Sequence, residues 1–302
     1  MARELPWTVD QRALDSPHVK ANLLFQAHFA RAPLPMSDYV TDTKTVLDNA
    51  VVCAHPPSPS LPPLHYWLVR ASPRAVLTSP RFEPSLLPPQ RVLQAMVDIA
   101  ADGGWMPTAL GAMRLAQMVT QARWPDDDGL TDLPHVDASV VKTFASRGVT
   151  TLRQLQGKDL NQLRELLRGT RLAGQQKQIA DLHGVLRTLP AVRVKADAPP
   201  KPLAPNAEGK VSVTLQPTNP ASRRKAFAPR FPKPKLAGWW LAMAEEEELI
   251  ALKRVHLDRS QVQAELSFAA PEEPGEYYWT VHLVSDSYLG LDQTAEVCVV
   301  VE

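Results

Sequence analysis

Apolar residues recur at steps of three and four through the first 190 residues and at steps of two beyond residue 209, so the pattern predicts helices followed by strands. The stretch DSPHVKANLLFQAHFARAPLP opens with Ser16 as an N-cap and Pro17 at the first helical position. Val19, Leu23, Ala27 and Ala30 make its apolar stripe, Leu24 and Phe25 widen it, and Pro33 and Pro35 stop it. SDYVTDTKTVLDNAV, RVLQAMVDIAADGGW and TALGAMRLAQMVTQARW predict further helical stretches. The last carries its stripe on Leu110, Met113, Leu115, Met118 and Val119. In the third stretch Gly103 and Gly104 read as a helix stop, with Trp105 as the aromatic anchor behind it.

Short helices fill residues 130–190. Gly148 in RGVTTLRQL has the look of a helix-hairpin-helix turn, with Thr150 capping the next helix. Residues 191–209 are rich in Pro, Ala and Lys and predict a linker. Six strands follow: VSVTLQ, GWWLAMA, LIALKRVH, VQAELSFA, EYYWTVHLVSDS and AEVCVVV. Glu245 to Glu248 would form a solvated hairpin, Pro274-Gly275 a turn, and SDSYLGLDQ a strand end. The fold class expected is multidomain, α then β. It consists of a helical bundle over 1–129, a helix-loop-helix (helix-hairpin-helix-like) unit over 130–190, and a fibronectin- or immunoglobulin-like β-sandwich over 210–302.

One segment breaks the helical pattern. Ten of the 29 prolines fall between Val52 and Gln90, which rules out a continuous helix there. Joining Val51 directly to Arg91 restores one amphipathic helix, with Leu47, Val51, Leu93, Met96 and Ala100 on a single face. Residues 52–90 therefore read as a translated intron: valine codons begin GT, glutamine can be encoded CAG, and SLLPP before Gln90 needs pyrimidine-rich codons. The other reading is a genuine proline-rich surface loop. Neither predicts secondary structure in the segment.

Composition changes this picture little. Apolar content of 44% and charged content of 22% describe an ordinary globular chain, long enough for two or three compact units. Cys53 and Cys298 are too far apart for a zinc spacing, and no run of about 18 apolar residues occurs, so a cytosolic or nuclear protein is expected. The net charge of +1 hides two opposed regions. Residues 190–237 hold ten Lys and Arg against Asp197 and Glu208, and residues 238–302 hold thirteen acids against three bases. Arg223, Arg224 and Lys225 in SRRKAFAPRFPKPK would contact phosphate or answer the acidic sandwich electrostatically.

Catalytic chemistry finds no footing. There is no G-x-x-x-x-G-K-[ST], no H-E-x-x-H and no glycine-flanked serine elbow. No catalytic residue, no metal site and no cofactor is expected. Trp239, Trp240 and Trp279 read as sandwich core and rim, with a stacking platform for bases as the alternative.

LDSPHVKANLLFQAHFARAPLP, DYVTDTKTVLDNA, RVLQAMVDIAADGGW, LPHVD, PRFPKPKLAGWWL, LIALKRV and SDSYLGLDQ together resemble the Sec-63-type domain of Ski-2-like nucleic-acid helicases. The resemblance covers nearly the whole chain outside 52–90 and the linker. It implies a non-catalytic module that packs on a helicase motor core, in cis or in trans, and guides single-stranded RNA or DNA. One long bundle helix would lie along the strand, here Thr43–Val51 continued by Arg91–Ala101, offering Lys44, Asn49, Arg91 and Gln94. Protein partners would dock through the sandwich, and no membrane is involved. The alternative is a stand-alone protein-interaction module that never meets nucleic acid.

Overall fold

The computed structural model describes residues 5–6, 16–34, 37–48, 89–219, 225–257 and 261–302. The expected insert at 52–90 lies outside these residues apart from Pro89 and Gln90, which already belong to a helix. The chain divides into two compact units, Met1–Pro125 with Pro229–Lys233, and Asp126–Ala228 with Pro234–Glu302.

The described part of the first unit is helical: α1 (Pro17–Phe29), α2 (Ser37–Asp48), α3 (Pro89–Asp102) and α4 (Met106–Gln121). Ser16 is the N-cap of α1 and Pro17 its first residue, as expected, but the Ser16 side chain makes no capping bond. The buried face of α1 is turned from the expected stripe. Asn22, Leu24, Phe25, Gln26, Ala27 and Phe29 are buried, whereas Val19 and Leu23 are half-buried and Ala30 is exposed. The aromatic rings decide this, because each removes more apolar surface from water than an alanine or valine. Phe25 stacks on Phe29 at 6.0 Å, and Phe29 meets Trp124 edge-on at 5.1 Å.

The helix ends at Phe29, ahead of the two prolines, with Arg31 in the left-handed region (φ 53) and the Ala32 N–H donating to Ala27. On α3, Leu93, Val97 and Ala100 are the buried positions and Met96 is half-buried, so the stripe steps by four and three through Val97 instead of Met96. The α3 stop is as predicted. The N–H groups of Gly103, Gly104 and Trp105 donate to Ile99, Ala101 and Ala100, and the Trp105 ring lies where a Gly103 side chain would sit. Helix α4 is buried over most of its surface, including Gln117, Thr120 and Gln121.

The C-terminal end of α4 is held by side chains of α1 and of the turn after it. His28 Nε2–H donates to the Val119 carbonyl at 2.9 Å, and Arg31 donates to Ala122 and Gln121. Burial lowers the His28 pKa, opposed by the Val119 bond and reinforced by Arg230 and Arg31. The unfolded chain therefore takes up a proton near pH 6.5 that the folded unit refuses, so stability is full above that pH and falls below it. Half-buried His282 in the second unit has the same sign. Urea midpoints are expected to fall between about pH 7.5 and about pH 5.5, and His28→Gln, which keeps a donor for Val119, should flatten part of that slope. An unchanged slope would mean that His28 is protonated in the folded unit.

The second unit begins with a single 3₁₀ turn (Gly129–Asp132), then α5 (Ala138–Ser146), α6 (Leu152–Leu155), α7 (Leu160–Leu166) and α8 (Gln176–Leu186). The three shortest, α5, α6 and α7, exist because each start is capped. Asp137 accepts from the Ser139 and Val140 N–H groups. Thr151 with Gln154 and Asp159 with Gln162 form capping boxes. Thr151, and not Thr150, is thus the α6 cap, because only Thr151 stands three residues before a glutamine.

Among the described residues seven strands follow: β1 (Val192–Asp197), β2 (Glu208–Pro217), β3 (Trp239–Glu245), β4 (Glu248–Val255), β5 (Val262–Ala269), β6 (Gly275–Ser285) and β7 (Gln293–Val301). They form two antiparallel sheets ordered β1-β2-β5 and β4-β3-β6-β7. Residues 192–197, expected as linker, are the seventh strand, paired with β2 from Val192↔Pro217 to Asp197↔Ser212. Leu203 also leaves linker character, since it bonds to Val300 and Glu302 at the edge of β7. Between β3 and β4 the acidic run turns at Glu246 (φ 47), as the hairpin reading expects.

The sheets pack face to face. Phe268 of β5 meets Trp279 of β6 edge-on at 4.7 Å, and Val211, Val213, Leu215, Leu241, Met243, Val281 and Leu283 fill the same core. Leu130 through Leu189 of the helical segment belong to that core as well. Asn219 ties the two parts by donating to the Arg187 and Leu189 carbonyls.

Candidate nucleic-acid interface

Of the seven residues expected at a strand, four lie among the described residues. Lys44 is exposed on α2, one turn before the buried Leu47. Gln94 is half-buried on α3 beside Leu93, and Arg91 lies in the first turns of the same helix. Lys225 is exposed in the second unit, bridged antiparallel to Leu236. Asn49, Arg223 and Arg224 fall outside the described residues. Lys44 and Gln94 therefore sit on two separate helices, and Lys225 belongs to the other unit.

A denser cationic surface lies on α5 to α8. Residues 138–190 carry nine Lys and Arg (142, 147, 153, 158, 164, 168, 171, 177, 187) against three acids (159, 165, 181), a balance of +6. All nine are exposed except Lys158, which is half-buried. Counting charge by element would have found this region, because its net value is lost in the whole-chain total of +1.

Within it lies an open cleft of about 320 Å³ between α7 and the start of α8. Asn161, Arg164, Glu165 and Arg168 line the α7 side at steps of three and four, and Gly174 and Gln176 line the other. The Arg164 guanidinium spans it, donating to Asn161 Oδ1 (3.1 Å) and to Gln176 Oε1 (2.8 Å). Arg168 pairs with Glu165 at 2.7 Å, an exposed ion pair of the kind worth at most about 1 kcal/mol. Arg147 reaches behind the cleft to the carbonyls of Glu165 and Arg168 and fixes the last turn of α7. Arg171 likewise ties its loop to Asp137 and His135, and the Asp137 carboxyl is held well below its ordinary range, chiefly by the Ser139 hydroxyl, then by the Val140 N–H and Arg171.

The turn at Gly148 offers no cradle for a phosphate. Its φ of 76 is left-handed, but the N–H groups of Gly148 and Val149 already donate to Ala145 and Phe144, and those of Thr150 and Thr151 to Gln154 Oε1. The turn is scaffold. Trp239, Trp240 and Trp279 are each no more than 3% exposed, which leaves none of them as a stacking platform.

The basic arm after residue 225 is partly spent inside the fold. Lys235 is buried, and its ammonium lies 2.7 Å from Asp286. Burial pushes the Lys235 pKa below its ordinary value, and the Asp286 carboxylate pulls the other way. Asp286 also accepts from the Gly238 N–H and the Ser287 hydroxyl. The Tyr288 hydroxyl accepts from the Phe227 N–H, and burial raises its pKa to about 12. Among the described residues no group of three or more His, Cys, Asp or Glu is placed to hold a metal ion, and no helix is long and apolar enough to cross a membrane.

Activating signal cointegrator 1 complex subunit 3 from Homo sapiens is 32% identical over 344 residues, covering 98% of this chain and 14% of that protein. The DExH-box ATP-dependent RNA helicase DExH14 of Arabidopsis thaliana is 35% identical, covering 95% of the chain and 11% of its own length. The U5 small nuclear ribonucleoprotein 200 kDa helicase of Mus musculus is 29% identical, covering 97% and 12%. The chain thus spans about a seventh or less of these relatives. The family profile described as the Sec63 Brl domain matches residues 1–54 and 88–298 and leaves out 55–87, nearly the segment that breaks the helical pattern. With matches on both sides of that break, through the helices and into the last strand, the chain belongs to the Sec63 Brl domain family.

Proposed function

We propose that the chain is a non-catalytic accessory module of a Ski-2-like RNA or DNA helicase, guiding single-stranded nucleic acid beside the motor core and docking partners. The observation that carries this reading is the family match, flanked by relatives two of which are named as helicases. ATP hydrolysis belongs to the motor, in cis or in trans, and the module acts in the cytoplasm or the nucleus. Lys44 on α2, Arg91 and Gln94 on α3, and Asn49, with Arg223, Arg224 and Lys225 of the basic arm, supply strand contacts.

The sheet orders β1-β2-β5 and β4-β3-β6-β7 support a fibronectin-type sandwich, and the capped α5, α6 and α7 with α8 behind them support a helix-hairpin-helix-like unit. The division into 1–129, 130–190, 191–209 and 210–302 is kept as proposed, with β1 now a strand inside the former linker. The gap in the family match supports an insert at 52–90, which we attribute to a retained intron interrupting one helix.

A fluorescent oligouridine of about a dozen nucleotides is the direct probe. Anisotropy is expected to report binding that weakens steeply as salt rises from about 50 to about 200 mM, with no ATP hydrolysis by the purified protein. Absence of binding at the lowest salt, together with capture of a protein partner through the sandwich, would favour a stand-alone interaction module instead.

A further inference from the structure

We infer that the cleft between α7 and α8 is a phosphate site for the backbone of a single strand, with Arg164 and Arg168 as its ligands. The inference rests on the proposed strand-guiding role and names a place for it that the α2–α3 helix and the basic arm do not include.

Arg164 is positioned before any ligand arrives. Asn161 and Gln176 take two of its five N–H donors, which leaves a forked edge for a phosphate oxygen pair while the side chain's entropy is already reduced. Arg168 is held only by Glu165, and both side chains are more than 60% exposed. A phosphate therefore exchanges a weak pair for a charge-assisted contact. Arg147 keeps the α7 end rigid beneath both, through the Glu165 and Arg168 carbonyls.

The opposite wall leaves room. Gly174 is left-handed (φ 82), and nothing lies within 4 Å of where its Cβ would project, so a strand can approach the backbone there. The start of α8, whose N-cap Gln175 makes no side-chain capping bond, adds a favourable partial charge at the same wall. The surroundings decide between ligand classes. A single carboxylate needs one guanidinium, whereas a +6 balance spread over α5 to α8 suits a polyanion that continues beyond the cleft.

The test uses the full chain and the oligouridine probe. Arg164→Gln with Arg168→Gln is expected to weaken binding by about tenfold and to reduce the slope of log K against log salt by about 1.4, the loss of two phosphate contacts at 0.7 each. Both arginines are exposed, so the thermal midpoint should stay put, and Lys210→Gln on β2 should leave the titration unchanged. If the unaltered chain binds no oligouridine at any salt, the strand-guiding reading itself fails. If it binds and the double variant keeps both affinity and slope, the cleft assignment alone is wrong. Loss of binding to an acidic phosphopeptide with strand binding intact would overturn the assignment in favour of a protein ligand.

Discussion

Replacing Asp286 with alanine should cost about 3–5 kcal/mol of folding stability, the range for stripping a buried ion of its partner. Lys235 has a side chain only 1% exposed and meets the carboxylate at 2.7 Å, so the alanine variant strands an ammonium away from water. Two further donors, the Gly238 N–H at 2.9 Å and the Ser287 hydroxyl, lose their acceptor in the same step. Gly238 itself is bound to this arrangement, since a Cβ there would stand 2.8 Å from Asp286 Oδ2. A double variant separates the charge from the hydrogen bonds. Lys235→Met with Asp286→Asn removes both charges and keeps an amide oxygen for Gly238 and Ser287, so most of the lost stability should return. Urea denaturation of the three proteins reads this directly, through midpoints at constant m. A loss under about 1 kcal/mol for Asp286→Ala would show that water reaches Lys235, because only a hydrated ammonium tolerates losing its partner so cheaply.

Trp279→Ala should be comparably severe, at about 3–5 kcal/mol. The indole stands between the two sheets, edge-on to Phe268 at 4.7 Å and tilted against Tyr277 at 6.3 Å, and it is 2% exposed. Its removal leaves a cavity that β-sheet backbones on both sides cannot collapse into. Trp279→Phe keeps most of the apolar contact but gives up the indole N–H bond to Glu245 Oε2, which makes about 1–2 kcal/mol the reasonable loss. Near-equal stability of the alanine variant and the parent would mean that the sheets do not share this core.

How far the fold was legible depended on whether local chemistry or tertiary packing chose the outcome. The stop at Gly103-Gly104 and the turn within Glu245 to Glu248 were readable because backbone sterics and charge decide them locally. Strand β1 was not. Val192, Val194 and Ala196 alternate with Arg193, Lys195 and Asp197, but the prolines that follow made the stretch read as linker, and only pairing with β2 makes it a strand. The face of α1 was misjudged for a related reason: periodicity allowed Val19 and Leu23, and the partner ring of Trp124 selected Phe29. In the candidate site, helical phase placed Lys44 on an exposed face but left Gln94 half-buried. The arginines of the α7–α8 cleft went unnoticed, since their convergence depends on how α7 meets the start of α8.

The break at residues 52–90 was readable from proline content alone, and the same segment ties the chain's identity to its origin. A full-length read of the transcript, from well upstream of the first codon through the codons for 52–90, therefore tests the central claim most directly. The account predicts a message that joins Val51 to Arg91 and continues upstream into a nucleotide-binding motor. A message that starts at Met1 and retains those codons would contradict it, and would leave a stand-alone module whose α2–α3 helix is interrupted.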